Sequence, residues 1–569
     1  IASMARDPIV FALALPEPEI SEAAAKAAGA AVVATGLADS ANQIRSSLVT
    51  PGFFRGCLDV GANRVNIDMY LAAARALAGI IPADKVSATQ IIPRQMDWQI
   101  SPVIARAVAA AAQQTGVAGI GHEEMPPEKV FERTERYIYE GELAWLPSEG
   151  QDYGSLSINE ESLELHRRYQ GCIGIYTKVP IKDEVIYKRL YSPGVVAQVC
   201  EKIRQDPMAA YDYTCKNNLV AIVTDGSAVL GLGNIGPRAA LPVMEGKAIL
   251  FKTFGGVEAF PLCISTQETD LVVRFVENIA PAFGGINLED ISSPRCFEIE
   301  QKLRESLDIP VFHDDQHGTA VVVLAGLVNA LKLLDRSLSE VRIVFNGAGA
   351  SAIATAKLLT LAGAQNLIIC DTTGVVYKGR SKGMNRINEV LADLTNPDRI
   401  QGSLADALRG AEVFIGLSGP NILNGEMVQS MAPDPIVFAL ANPDPEIHPE
   451  EASQAGALVV ATGRSDYPNQ VNNCLAFPGI FRGALDIRAR AINDQMNMAA
   501  AYAIAALVGK DLRPGYILPG AMDFRVPPVV AEATARAGLE SGVARLSIEP
   551  ERVARHTREY IYDERLSIL

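Results

Sequence analysis

Short apolar runs that end in acids, asparagines or small-residue turns recur through the later part of the chain. Val341–Phe345 is a β-rich run, followed by a glycine turn, an apolar helical stretch and a second strand that ends at Asp371. Further strand-like runs lie in AEVFIGLSGP (411–420) and PIVFALANPDPEI (435–447), and each closes in a small-residue loop. Upstream, two apolar runs end in acid pairs, Glu289-Asp290 and Asp314-Asp315, the second ahead of an alanine-rich helix from Gly318-Thr319-Ala320. TDGSAVLGLGNIGPRAALPVMEGKAILFK reads as a glycine-rich turn, then Lys247 entering a strand-like run that ends with Lys252. Met498–Val508 reads as a buried helix. Strands alternating with helices predict an α/β fold with parallel sheets.

The pattern also repeats. MARDPIVFALALPEPEI from Met4 returns as MAPDPIVFALANPDPEI from Met431, VVATG at 32–36 returns at 459–463, and FRGCLDV at 54–60 matches FRGALDI at 481–487. IIPRQMDWQISP pairs with ILPGAMDFRVPP, and RTERYIYEGEL with HTREYIYDERL. One long repeat points to duplication, not to a short-period solenoid. The expected layout is a partial N-terminal repeat at 1–146, a polar linker at 147–155, a first domain at 156–334 and a second at 335–569. Ile1 is not an initiator methionine, which points to a start upstream.

With 569 residues, 49% hydrophobic and 21% charged, the chain has ample core for several domains. No apolar run approaches the roughly 18–20 residues of a membrane span. The net charge of −15 argues against nucleic acid and anionic membranes, and any anionic substrate then needs a local cation. Eight scattered cysteines without a C-x-x-C pair fit a reducing cytoplasm better than disulfides or a thiolate metal site.

Gly347 and Gly349 make a tight turn that lets backbone approach a pyrophosphate. Ala350 opens the helix whose N-terminus faces the phosphates, and Ala352 keeps that helix near the sheet. Asp371 ends the second strand where an acid accepts from a ribose 2′-hydroxyl. This favours NAD over NADP, although Lys378 and Arg380 stand close. Asn442 falls at a strand's carboxyl end, where an Asn-Pro turn is the competing reading. The two acid pairs, on strands expected to be neighbours, make an oxygen-rich pocket suited to Mg²⁺ or Mn²⁺. A rival is zinc on His313 and His317, and solvated acidic loops are a third account. A lysine acting as base must be neutral, which burial and nearby positive charge promote. Taken alone, Lys247 and Tyr191, the latter in a YSPGV proline turn, read as a solvated lysine and a packing residue.

Taken together, YSPGV, GSAVLGLGNIGPRAALPVMEGKAILFK, FGGINLEDI, FHDDQHGTA, GAGASAIA, ANPDPEI and PNQVNNCLAFPGIFRGALD resemble the malic enzymes of the short bacterial and archaeal kind, from about Ser157 to Leu569. The resemblance implies a Rossmann-type NAD(P) domain beside an α/β substrate and metal domain, preceded here by a partial repeat of the NAD(P) domain's C-terminal half. It implies Tyr191 as proton donor, Lys247 as proton acceptor with Lys252 a weaker candidate, and Glu289, Asp290 and Asp315 as metal ligands with Asp314 beside them at the catalytic centre. It also implies Asn442 and Asn473 touching substrate next to the nicotinamide, and a homodimer. Larger malic enzymes carry an arginine where this chain has Ala228. The malate carboxylate therefore lacks an assigned partner, with Arg238 only a guess.

The implied reaction oxidises malate at C2, releases CO₂ and protonates C3 to give pyruvate. Alternatives are oxaloacetate decarboxylation, malolactic conversion, or a non-catalytic metabolite sensor. The N-terminal repeat has no G-x-G turn, lysine–tyrosine pair or acid clusters, with Leu15 at the place of Asn442 and Ser46 at that of Asn473. It is expected to be folded but without activity, either as half of an intrachain pseudo-dimer or docked on another surface.

Overall fold

The computed structural model describes residues 1–14, 18–37, 40–94, 97–139, 157–169, 171–179, 183–191, 193–229 and 231–562. The expected linker at 147–155 and the position of Leu15 lie outside them. The chain forms two units: Ile1–Leu165 with Gly174–Ala209, and His166–Ile173 with Ala210–Leu569.

In the first unit, the matching runs IVFA and VVAT become strands β1 (Ile9–Ala12) and β2 (Val32–Thr35), paired in parallel with Ile9 opposite Val32. Asn42 braces the strand end: its amide donates to the Val33 carbonyl at 3.0 Å and the Ala88 carbonyl at 2.9 Å, and accepts from the Ile91 N–H at 2.9 Å. Helices Thr50–Asp59 and Ile100–Gln114 meet at Gly52, where a Cβ would lie 2.5 Å from the Ser101 carbonyl, so only hydrogen fits. Met69, Ile104 and Val108 fill the core behind them.

The second unit holds two sheets. Strands β3 (Leu219–Thr224), β4 (Glu258–Cys263), β5 (Gly285–Leu288) and β6 (Val311–His313) form a parallel sheet in the order β4-β3-β5-β6. Strands β7 (Arg342–Asn346), β8 (Asn366–Asp371), β9 (Gly374–Val375), β10 (Val413–Gly416), β11 (Ile436–Ala439) and β12 (Val459–Thr462) follow in the order β12-β11-β10-β7-β8-β9. All of these pairings are parallel except the short β8–β9 turn. The order reverses at β7, where a doubly wound sheet opens a ligand crevice.

Within this sheet, β11 and β12 reproduce the register of β1 and β2, with Ile436 opposite Val459. Asn469 reproduces the brace of Asn42, donating to the Val460 carbonyl at 3.0 Å and the Pro514 carbonyl at 2.7 Å and accepting from the Ile517 N–H at 2.9 Å. Gly479 takes the place of Gly52 in a helix crossing, with a Cβ there falling 2.7 Å from Val530.

Two expectations change. Lys247 and Lys252 lie on a helix, Gly236–Gly255, not a strand-like run. The apolar residues Ala240, Met244, Ala248 and Phe251 recur every three or four positions and are buried, the period of a helix face. Asp314–Leu333 is long and apolar enough by composition to cross a membrane, but 72% of its apolar window is buried inside the fold. It is a core helix, with Gly326 against Phe438 of β11.

Candidate functional site

Because β5 and β6 pair with Leu288 opposite His313, the two acid pairs leave the sheet side by side. Asp290 adopts a left-handed backbone (φ +52°) and its N–H donates to Asp315 Oδ2 at 2.9 Å. Asp314–Gly318 forms one wide helical turn leading into the helix Thr319–Leu333. Gly318 has no room for a side chain, because a Cβ would overlap the Asp314 carboxylate. Such turns are frequent at functional sites.

Lys247 closes the cluster. Its Nζ lies 2.8 Å from Glu289 Oε1 and 2.5 Å from Asp314 Oδ2, and 4.3 Å above the Phe477 ring. Asn473 joins from the far end of the sequence, donating to Asp314 Oδ2 at 3.1 Å. Burial acts to discharge the Lys247 ammonium, but the carboxylates of Asp314 and Glu289 outweigh it and hold its pKa above the ordinary lysine range. Burial pushes the Glu289 carboxyl well above the usual carboxylate range. Lys247 pulls it back, while Asp315, Asp314 and Asp290 add to the rise. One ammonium therefore does not balance this group of acids.

That surplus suits a hard cation, as does Asp314 Oδ1, which is buried without a hydrogen-bond partner among the described residues. No three His, Cys, Asp or Glu side chains are already drawn to metal-binding spacing among the described residues. The Lys247 ammonium stands between Glu289 and Asp314. Of the rival histidine pair, His317 has its Nε2 taken by Glu300 Oε1 at 2.6 Å, and His313 is fully buried, with its pKa pushed down by burial. Arg295, which belongs to none of the sequence motifs, fastens the strand ends. Its Nη2 donates to Asp225 Oδ2 at 2.9 Å, Ser227 Oγ at 2.9 Å and Ser292 Oγ at 3.0 Å. Nothing in the sequence around Arg295 announces this clasp. Ala228 is exposed beside it, Arg238 is exposed in the next helix's first turn, and Lys252 faces Glu258 at 3.8 Å, apart from the Lys247 cluster.

The glycine turn lies where the motif placed it, between β7 and the helix Ala350–Leu361. Gly347 has φ +123°, and a Cβ there would lie 2.7 Å from the Leu417 carbonyl. Ala352 is fully buried against the sheet. A cavity of about 930 Å³ opens here, lined by Asn346, Gly347, Gly349, Asp371, Arg380 and Ser418 among others. Ser351, in the helix's first turn, donates to the Asp315 carbonyl at 2.7 Å and ties this crevice to the acid cluster.

Asp371 lines the cavity, but its acceptor positions are in use. Oδ1 takes Arg380 Nη1 at 2.9 Å and the N–H and hydroxyl of Thr373 at 2.8 and 2.7 Å, while Oδ2 takes Arg380 Nη2 and, at 2.9 Å, Asn388. A carboxylate offers about four lone-pair sites. Asp371 therefore keeps no open acceptor for a ribose hydroxyl, and the preference for NAD expected from it loses its basis. Burial would raise this carboxyl's pKa, but the Arg380 and Thr373 hydrogen bonds carry it below the usual range.

Asn442 lies three residues beyond the carboxyl end of β11. Its amide nitrogen faces Gly463, where a Cβ would come within 2.5 Å, and the following Pro443 adjoins Gly231. Tyr191 belongs to the first unit, exposed at the end of helix Glu184–Tyr191. The second unit thus brings together Lys247, Glu289, Asp290, Asp314, Asp315 and Asn473, with the dinucleotide turn joined through Ser351.

A nucleotide crevice at a sheet's switch point, tied to a lysine among acids, belongs to the Rossmann-type nucleotide-dependent oxidoreductases. The family follows from the sequence: residues 175–304 match the malic enzyme N-terminal domain and residues 316–531 the malic enzyme NAD binding domain. The chain is 56% identical over 405 residues to the bifunctional malic/malolactic enzyme of Bacillus subtilis, covering 71% of this chain and 98% of that protein. It is 46% identical over 406 residues to the NADP-dependent malic enzyme of Escherichia coli, covering 68% of this chain and 53% of that protein. The crystal structure of malic enzyme from Pyrococcus horikoshii superposes with a TM-score of 0.69 at 47% identity, over 72% of this chain and 98% of that one. The NAD-dependent malic enzyme of Thermotoga maritima does so with a TM-score of 0.64 at 48% identity, over 66% and 98% of the two chains. The chain belongs to the malic enzyme family.

Proposed function

We propose that this chain catalyses the oxidative decarboxylation of malate to pyruvate and CO₂ with reduction of NAD⁺ or NADP⁺. The observation that carries the reading is the buried Lys247–Glu289–Asp314–Asn473 cluster, hydrogen-bonded through Asp315 to the dinucleotide helix. A cation taken up by Glu289 would draw away one of the two carboxylates that keep Lys247 charged; Lys247, then neutral in its buried setting, would accept the proton that must leave the C2 hydroxyl as C2 is oxidised, with Asp314 holding it in place. Asn473 and Asn442 orient the substrate. Gly347, Gly349, Ala350, Ala352 and Asp371 frame the cofactor, and Tyr191 returns a proton to C3 after CO₂ has left. Mg²⁺ or Mn²⁺ bound by Glu289, Asp290 and Asp315 would supply positive charge beside the substrate oxygens and compete with Lys247 for Glu289.

In this reading residues 156–334 serve substrate and metal, residues 335–569 the dinucleotide, and residues 1–146 are a degenerate partial repeat without its own reaction. The Asn42 and Asn469 braces, built on matched residues, support the last assignment. The eight unpaired cysteines suit a reducing, cytoplasmic setting. Assembly as a homodimer, or as an intrachain pseudo-dimer through the first repeat, belongs to the same proposal. A second reading, malolactic conversion with the cofactor retained, is favoured by the bifunctional name of the 56%-identical relative. The deciding experiment is the initial rate with malate, using each cofactor with and without Mn²⁺. Metal-dependent NAD(P)H formation is expected. Lactate without net NAD(P)H would select the second reading, and no turnover under any condition would overturn both.

A further inference from the structure

We propose that the N-terminal repeat is a seat that positions the helix carrying Tyr191, an inference that rests on the proton-donor role given to Tyr191 above. Helix Glu184–Tyr191 belongs to the same unit as the repeat. Between them lies a cavity of about 730 Å³, walled by Ser46, Ser47, Thr50 and Trp98 of the repeat and by Tyr187 and Tyr191 of the helix. The Tyr187 hydroxyl meets Ser47 Oγ at 3.3 Å. Tyr187 and Tyr191 stand one helical turn apart with ring centroids 6.0 Å from each other, so holding the first ring constrains the second.

The sequence repeat gives this seat its meaning. Ser46, Ser47 and Thr50 correspond to Asn473, Cys474 and Phe477. In the second unit Asn473 donates to Asp314 and the Phe477 ring lies under Lys247. The wall that lines the lysine cluster in one place therefore carries three hydroxyls in the other. An amide, a thiol and a phenyl have become smaller groups, which leave room for tyrosine rings and offer them hydroxyl partners. Among the described residues the cavity lining contains Asp97 and no lysine or arginine, so it suits neutral phenols and disfavours a dicarboxylate. Ser47 and Trp98 are thus positioning residues, acting on the reaction through Tyr191.

The test uses the full chain and two readouts. Amide hydrogen exchange over residues 184–191 reports the seat, and solvent deuterium entering C3 of pyruvate reports the phenol's chemistry. Trp98→Ala is expected to speed exchange of the helix and to lower the ratio of C3 deuteration to oxaloacetate reduction by about tenfold. Ser47→Ala should lower that ratio by about threefold, the size of one lost hydrogen bond. Ser47→Thr and Trp98→Phe, which keep the hydroxyl and the ring, should restore both readouts. Unchanged helix exchange in Trp98→Ala overturns the seat, whatever Tyr191→Phe does. If helix exchange responds but Tyr191→Phe leaves C3 deuteration intact, the seat stands and the proton-donor role falls.

Discussion

The two halves of the repeat share an interior and differ in what they face. Asn42 and Asn469 make the same three hydrogen bonds, and Gly52 and Gly479 allow the same close helix approach. Yet Phe481 and Leu485 are buried, with Phe481 packed on the rings of Phe251 and Phe312, whereas their counterparts Phe54 and Leu58 are 57% and 68% exposed. Beside these helices, Asn473 meets the acid cluster, whereas Ser46 lines a cavity shared with a tyrosine helix that its neighbour Ser47 touches. The scaffold is thus held by a few internal contacts that both halves keep. What a half does depends on the domain set against it.

The largest break in the comparison is expected at Lys247, which has no counterpart in the first repeat. Lys247→Ala should lower kcat/KM for malate by about 10³-fold, within the range for a lost general base. Retention of a tenth of wild-type NAD(P)H formation would remove this lysine from the mechanism. The matched aromatic pair comes next. Phe481→Ala should cost about 3–5 kcal/mol in denaturant unfolding, and Phe54→Ala less than about 0.5 kcal/mol. Equal losses would show that both helices are packed to the same degree. Asn473→Ser, which imports the residue of the first repeat, should lower kcat/KM by about 10–100-fold through one charge-assisted hydrogen bond, measured with saturating cofactor.

The smallest expected effect separates Glu446 from Glu19. Each accepts from the backbone N–H of a matched alanine, Ala441 and Ala14 respectively, at 3.0 Å. Burial raises the Glu446 pKa, while backbone hydrogen bonds, that from Ala14 foremost, lower the Glu19 pKa. Above its raised folded pKa, Glu446 is charged in both the folded and unfolded states, and burial disfavours the folded one. As pH falls through that pKa the folded state takes up the proton first, so Glu446 adds stability on acidification. Glu19 contributes stability above its unfolded pKa and loses it as pH falls through the depressed folded pKa. Glu446→Gln and Glu19→Gln should therefore tilt the stability–pH profile in opposite directions, read by unfolding midpoints from neutral to mildly acid pH. Tilts of the same sign would contradict the difference in environment.

Local chemistry is legible in the amino-acid order itself. Gly347 and Gly349 sit where a strand–turn–helix puts them, and the acid pairs end neighbouring strands, because both follow from contacts close along the chain. The Lys247 helix is not legible in the same way, since its alanines, leucines and methionine in a short apolar run suit a strand as readily as a helix. Only the burial period over Gly236–Gly255 separates the two. Asp371 is recognisable as an acid at a strand end, but Arg380 and Asn388, which occupy it, reach back from a later loop and helix and carry no motif. The contacts of Asn473 with Asp314 and of Arg295 with Asp225 join segments far apart in the chain, which spacing does not reveal.

The Ser351 hydroxyl, resting on the Asp315 carbonyl, makes one short bond common to the nucleotide helix and the acid turn. In the proposed reading, a dinucleotide that settles this helix would also steady the Asp315 backbone, and any affinity it lent to an ion there would be returned by the ion in equal measure, as thermodynamic reciprocity requires. Removing that single oxygen would loosen this link and leave only the packing of the helix against the turn to join the two places.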